Sequence, residues 1–282
     1  MLDELREKCK QLLANGTVQV VIGYGQPAEA GGVVPVFITT PEDAQQLVWN
    51  DQCFANLTKY LLRSEIKALG KAAICVKGCD ERALVVLERE SQIDRTQIVV
   101  IGLLCDGVGQ PRLPKCEACD VHKPRAADVL IGQPPADGQP LPAEQRYAAL
   151  AAFLRKTPEE RIAYWMAELS RCTKCYACRQ VCPMCYCRQC IADKNRPVAI
   201  STSATLKGNF AWQITRAFHL ASRCVGCDEC SRVCPAGIDL RLLNLSLAQA
   251  AEKSFAFRAG MDPAAEPVIG AYREQDHEEF IR

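Results

Sequence analysis

Two runs of cysteine carry most of the chemistry open to this sequence. Cys172, Cys175, Cys178 and Cys182 are followed by Pro183, and Cys224, Cys227, Cys230 and Cys234 by Pro235. Each run reads C-x-x-C-x-x-C-x-x-x-C-P. Two-residue gaps let three thiolates of one tight loop face three corners of a cubane, while the fourth is carried onto the neighbouring cubane. The spacing assigns Cys172, Cys175, Cys178 and Cys234 to one [4Fe-4S] cluster, and Cys224, Cys227, Cys230 and Cys182 to a second. Proline after the fourth cysteine has no backbone N–H and turns the chain away. Zinc loops typically use paired cysteines, not four per run closed by proline, which makes a pair of zinc sites the weaker reading.

Two further groups lie outside these runs. Cys75 and Cys79 sit at the end of one β-rich stretch, Cys105 at the end of the next, and Cys116-x-x-Cys119 on the loop that follows. Parallel strands bring their C-termini to one sheet edge, the usual ligand edge of α/β proteins. Cys79, Cys105, Cys116 and Cys119 are expected to converge there on a third cubane. The bland alternative is buried structural cysteines with a zinc knuckle or free thiols. Cys185, Cys187 and Cys190 follow the first run directly. Three soft donors within six residues, completed by His219 or another cysteine, suit zinc or a fourth cluster. They would equally serve as alternative ligands or shielding for the adjacent cubane, and His219 alone reads as a helix residue packed beside a cluster. Cys9 and Cys53 have no partner in sequence and read as small buried apolar side chains.

The elements that must position these groups change character along the chain. Leu2, Leu5, Cys9, Leu12 and Leu13 recur at helical spacing up to Asn15-Gly16. Strands are predicted from Val18 to Ile22, running into a short turn Gly23-Tyr24-Gly25, and over 33–39, 72–76 and 98–104. Pro41-Glu-Asp opens a predicted helix capped by Thr40, and residues 80–92 form another with Ala83, Leu84 and Leu87 on one side. Residues 1–132 therefore read as a small α/β domain with a largely parallel sheet. Four prolines within 133–142 mark a semi-rigid linker, taken as 133–145. Beyond it, Thr157-Pro158-Glu159-Glu160 is a capping box opening a helix to about Ser170. Further helices are expected over 206–222 and from Asp239, the last with Leu240, Leu243 and Leu247 on one face. The expected fold class is α+β with two domains: the α/β domain, then a helical cluster-binding domain over 146–260. An acidic tail follows over 261–282.

Eighteen cysteines in 282 residues, with no apolar core in the charged N-terminal stretch, point to a reducing, cytoplasmic setting rather than a disulfide scaffold. No stretch approaches the roughly 18 apolar residues of a membrane span. A formal net charge of +1 gives no sign of a nucleic-acid partner. Between Arg161 and Arg196 seven basic residues face only Glu168 and Asp193. They read as an ordinary solvated face that also offsets anionic clusters and tunes their potential.

The 41 helix-rich residues between the two runs resemble the α-helical ferredoxin domain of succinate dehydrogenase and heterodisulfide reductase subunits. Residues Val18 to Gly132 are similar to the beta subunits of deazaflavin-reducing hydrogenases and formate dehydrogenases. The likeness is carried by Lys77-Gly-Cys-Asp-Glu-Arg-Ala-Leu84, Ile101-Gly-Leu-Leu-Cys-Asp-Gly107, and Lys115-Cys-Glu-Ala-Cys119 with Pro124, Asp128 and Ile131-Gly132. That family implies a cubane within this domain and electron relay between a partner's metal centre and a flavin or deazaflavin. In the family a ferredoxin motif commonly precedes a longer flavin-binding domain, whereas here a shorter α/β domain comes first. No G-x-G-x-x-G fingerprint follows a strand, so a site for FAD is not read from the residues. The expected function is an iron–sulfur electron-transfer subunit of a larger anaerobic oxidoreductase complex, such as a hydrogenase, formate dehydrogenase or heterodisulfide-reductase-like assembly, with no catalytic constellation of its own. The alternatives are a flavin- or deazaflavin-dependent reductase and a non-redox zinc-binding module.

Overall fold

The structure, a computed structural model, describes every residue except 28, 30, 134–140, 194–196, 199, 202 and 270–282. Helices combine with one five-stranded mixed sheet, so the molecule is α+β. Strands β1 (Val20–Gly25), β2 (Val34–Ile38), β3 (Ala72–Val76), β4 (Ile98–Leu103) and β5 (Val129–Ile131) lie in the order β2-β1-β3-β4-β5. β1, β3, β4 and β5 are parallel, in registers such as Val20 opposite Ala72 and Ala72 opposite Ile98, and β2 pairs antiparallel to β1. β1, β3 and β4 are buried along their whole length, as expected of apolar strands without charged residues in a sheet covered on both faces.

Gly23 and Gly25 lie inside β1 rather than in a turn after it. A side chain at Gly23 would strike Leu47, and one at Gly25 would strike Val36, so both glycines serve close packing. The segment opened by Pro41 is a short 3₁₀ turn, Glu42–Gln46, and Thr40 bonds the Asp43 carboxylate at 2.7 Å without capping a helix. With only one turn before extended Leu47, there is no helix for Thr40 to start. The helix Gly78–Arg89 follows β3 and buries Ala83, Leu84 and Leu87. Thr157 and Glu160 form the reciprocal capping box expected of the helix Pro158–Ser170. The helices Leu206–His219 and Leu240–Phe255 complete the frame, the latter burying Leu240, Leu242 and Leu245, with Leu243 and Leu247 only half-buried.

Two hydrophobic cores result. One gathers the sheet with Leu5, Leu57 and Leu87 and continues through Met184, Leu220, Val225 and Ala259. The other gathers Leu150, Trp165, Leu169, Trp212, Ile238, Leu240 and Leu245. Most of the proline-rich stretch, and the end of the acidic tail, lie outside the described residues; a helix begins at Ala143, inside the span read as linker. No helix among the described residues is long and apolar enough to cross a membrane.

Candidate metal centres

The two cysteine runs fold as copies of one loop. Lys174 and Gly226 each stand two residues after the first cysteine with φ of 55° and 70°; Tyr176 and Asp228 stand four after it with φ of 61° and 64°. These left-handed residues fold each loop back on itself, so that its thiols can share one concave face. Short helices, Ala177–Val181 and Glu229–Arg232, then carry the chain to Cys182 and Cys234. The fourth cysteines cross over. One cavity is lined by Cys172, Cys175, Cys178 and Cys234, and another by Cys182, Cys224, Cys227 and Cys230. These are the two quartets expected from spacing.

Polar side chains hold both loops in place. Asn209 donates to the Leu169 carbonyl at 3.2 Å and the Cys172 carbonyl at 2.7 Å, tying the helix Leu206–His219 to the first loop. Gln213 donates to Cys178 Sγ at 3.8 Å and Asn244 to Cys230 Sγ at 3.6 Å. Tyr176 and Trp212 meet edge-on beside the first quartet and both donate to Asp193 Oδ1. Burial pushes the Cys178, Cys224 and Cys227 thiols up and that of Cys230 to about 12. Cys182 is the exception, its thiol drawn down by the neighbouring Cys185 and by Arg216.

Arg216 is 5 % exposed and donates to the Cys178 carbonyl at 3.1 Å. It lines the Cys182 cavity and feels Cys178, Cys182, Cys185 and Cys230 together. Its Nε and that of Arg241, which lines the same cavity, have no hydrogen-bond partner. A buried guanidinium without a carboxylate is costly unless a negative group stands beside it. Eight thiols around two cavities, with the buried Arg216 and the half-buried Arg241 against one of them, fit anionic cysteine-ligated clusters. Sequence reading placed the offsetting charge between Arg161 and Arg196 and missed Arg216; a basic residue on the apolar face of the helix before the second run was the available signal.

The third set occupies the C-terminal edge of the parallel strands. Cys79 opens the helix after β3, and Cys105 lies two residues past β4. A side chain at Gly78 would collide with the Val121 carbonyl, so glycine lets the Cys116–Cys119 loop close against Cys79. Cys105 lies within electrostatic reach of Cys116 and Cys119, and Cys79 of Cys119. Backbone N–H groups of Gly107, Val108 and Val121 donate to the sulfurs of Cys105, Cys116 and Cys119 at 3.3, 3.5 and 3.4 Å. Burial raises the Cys105 thiol to about 11 and lifts those of Cys79 and Cys119. Cys75 stays inside β3, fully buried in the same core as Cys9 and Cys53, so these three are core residues.

The sequence motif around Cys79 is explained by neighbours of this set. Lys77, 1 % exposed, pairs with Asp80 at 2.7 Å, donates to the Ala55 carbonyl at 3.0 Å and contacts the Tyr24 hydroxyl. Glu81 accepts the N–H groups of Arg125 and Ala126, both at 2.6 Å, and fixes the loop after Pro124. Lys115 reaches farther: its Nζ donates to Phe54 O at 3.0 Å and to Cys227 O at 3.1 Å. Cys79 and Cys119 share a cavity with Cys224. The third set is therefore next to the Cys224 quartet, and no residue of the Cys172 quartet lines that shared cavity.

Cys185, Cys187, Cys190 and His219 line a fourth cavity, of about 330 Å³. Among the described residues no three His, Cys, Asp or Glu side chains stand close enough to grip a single metal ion. Cubane ligands are spread around a four-iron body and need not meet that condition.

Residues 168–238 match the family model of the 4Fe-4S dicluster domain. Along 93 % of its length the chain is 23 % identical to F420-dependent formate dehydrogenase 1 subunit beta of Methanococcus maripaludis, covering 91 % of that protein. It is 21 % identical over 94 % of its length to the F420-dependent formate dehydrogenase subunit beta of Methanocaldococcus jannaschii, covering 93 % of it. The chain is a homologue of formate dehydrogenase beta subunits that carries a 4Fe-4S dicluster domain. The resemblance drawn from Lys77–Leu84, Ile101–Gly107 and Lys115–Cys119 thus extends to almost the whole chain.

Proposed function

We propose that this chain is an iron–sulfur electron-transfer subunit of an anaerobic oxidoreductase complex of the formate dehydrogenase kind. One observation carries the proposal: each of two cavities is lined by three cysteines of one run and the fourth of the other. When bound, the clusters would supply one-electron exchange without proton or hydride chemistry. On this reading the chain comprises an α/β domain over 1–132, a linker over 133–145, a dicluster domain over 146–260 and a tail over 261–282. Cys79, Cys105, Cys116 and Cys119 would hold a third cluster, and Lys115 would fix its distance to the Cys224 quartet.

The residues then have separable tasks. Eight cysteines of the two runs bind; Asn209 orients the first loop through its carbonyls, and Gln213 and Asn244 donate to sulfur; Trp212, Val225 and Leu245 keep water away. Arg216, Arg241 and Lys115 hold positive charge where negative charge must come and go. The order of sets favours a relay from the sheet edge through the Cys224 quartet to the Cys172 quartet, or the reverse, across contacts between the two parts rather than along the linker. Both relatives are named F420-dependent, which keeps a flavin- or deazaflavin-linked reductase as the second reading. Anaerobic titration with a low-potential reductant tests the choice. Electron uptake accounted for by cluster signals alone supports the relay subunit; flavin released by denaturation, with two-electron uptake to match, favours the reductase.

A further inference from the structure

The relay leaves a cavity of about 330 Å³ beside the first run unused. Its donors come from two places: Cys185, Cys187 and Cys190 from the loop after Pro183, and His219 from the last turn of the helix Leu206–His219. The backbone carbonyls of three of these four residues are each held by a cation. Lys59 Nζ donates to Cys185 O at 2.7 Å, Arg179 Nη2 to Cys187 O at 3.1 Å, and Arg223 Nη1 to His219 O at 3.0 Å. Arg223 also lies over the Tyr186 ring at 5.2 Å and pairs with Glu90. Arg179, Arg216 and Arg223 line the cavity itself.

This arrangement does two things at once. Clamping the carbonyls fixes the loop that presents the donors, as outer-shell partners do at metal sites. It also leaves Arg216, with no carboxylate partner among the described residues, facing the cavity as positive charge for an anionic ligand, while Glu90 pairs with Arg223 and Asp193 lies 3.8 Å from Arg179. A single zinc ion needs donors drawn together around one point, and no such group exists among the described residues. The donors instead line a cavity of about 330 Å³, wider than the cavities of the two quartets and with room for a body of several atoms.

We propose that Cys185, Cys187, Cys190 and His219 hold a fourth iron–sulfur cluster, next to the Cys182 quartet. The inference rests on the iron–sulfur reading of the two runs. Met184, Arg216 and Leu220 line both this cavity and that of the Cys182 quartet, so this cluster would adjoin the middle of the relay as a branch. Cys187 is exposed, which leaves the branch within reach of an outside partner.

The test compares the full chain with Cys187→Ser/Cys190→Ser, both reconstituted anaerobically with ferrous iron and sulfide. Iron, sulfide and zinc are counted and EPR spectra recorded after reduction. The expected result is a loss of about four iron and four sulfide per chain, with the spectra of the two run clusters kept. His219→Cys should restore four-cysteine ligation, keeping the iron while lowering that cluster's potential, since His for Cys raises it. Unchanged iron in the double variant, or stoichiometric zinc lost in place of iron, overturns the fourth cluster and leaves the relay standing. Iron near zero in the wild-type chain overturns both.

Discussion

Replacing Arg216 with Met should lower the potentials of both run clusters without emptying them. Met retains much of the buried apolar stem and removes the charge. Arg216 is 5 % exposed and bonds the Cys178 carbonyl, so solvent screening is weak. A unit charge about 6 Å from a cluster, at an effective dielectric of about 20, is worth ~3 kcal/mol. For a one-electron couple, about 59 mV per 1.4 kcal/mol converts this to ~120 mV. Reduction adds negative charge, so losing the cation disfavours the reduced form and the shift is downward. EPR-monitored redox titration of wild type and variant, matched for iron content, measures it. The Cys182 quartet should move at least as far as the Cys172 quartet, because Arg216 lines its cavity. A shift under about 30 mV in both, at full iron occupancy, would refute the electrostatic role.

Cys175→Ala should cost about four iron per chain, abolish one cluster signal and interrupt reduction of an external partner; normal electron flow in this variant would remove the Cys172 quartet from the relay. Lys115→Met leaves the Phe54 and Cys227 carbonyls without their donor, and a loss of about 2–4 kcal/mol is expected in anaerobic denaturant unfolding. Gly78→Ala should block closure of the Cys119 loop through Val121, removing the third cluster's iron while the run clusters keep theirs. Thr157→Ala breaks the capping box and should destabilise by about 1 kcal/mol, with cluster content unchanged.

Much of the site was legible because its rules are local. The C-x-x-C-x-x-C-x-x-x-C-P spacing sets the loop, and the exchange of Cys182 and Cys234 between quartets follows from the repeat. The strands were equally legible, since β3 and β4 are unbroken apolar runs. What escaped depends on contacts distant in sequence. Arg216 looks like any helix arginine until Cys178 and Cys182 are folded around it. Lys77 and Lys115 look like surface lysines, yet one pairs with Asp80 under Tyr24 and the other spans 112 residues to Cys227. Gly23-Tyr24-Gly25 reads as a turn by composition, whereas the need to pack Leu47 and Val36 keeps glycine inside a strand.

Metal and sulfide content per chain, on protein purified without oxygen, tests the central claim most directly. The relay account predicts equal iron and acid-labile sulfide at about twelve each from three sets, rising to about sixteen if the Cys185 set is filled, with zinc near zero. Iron near zero with stoichiometric zinc would contradict it.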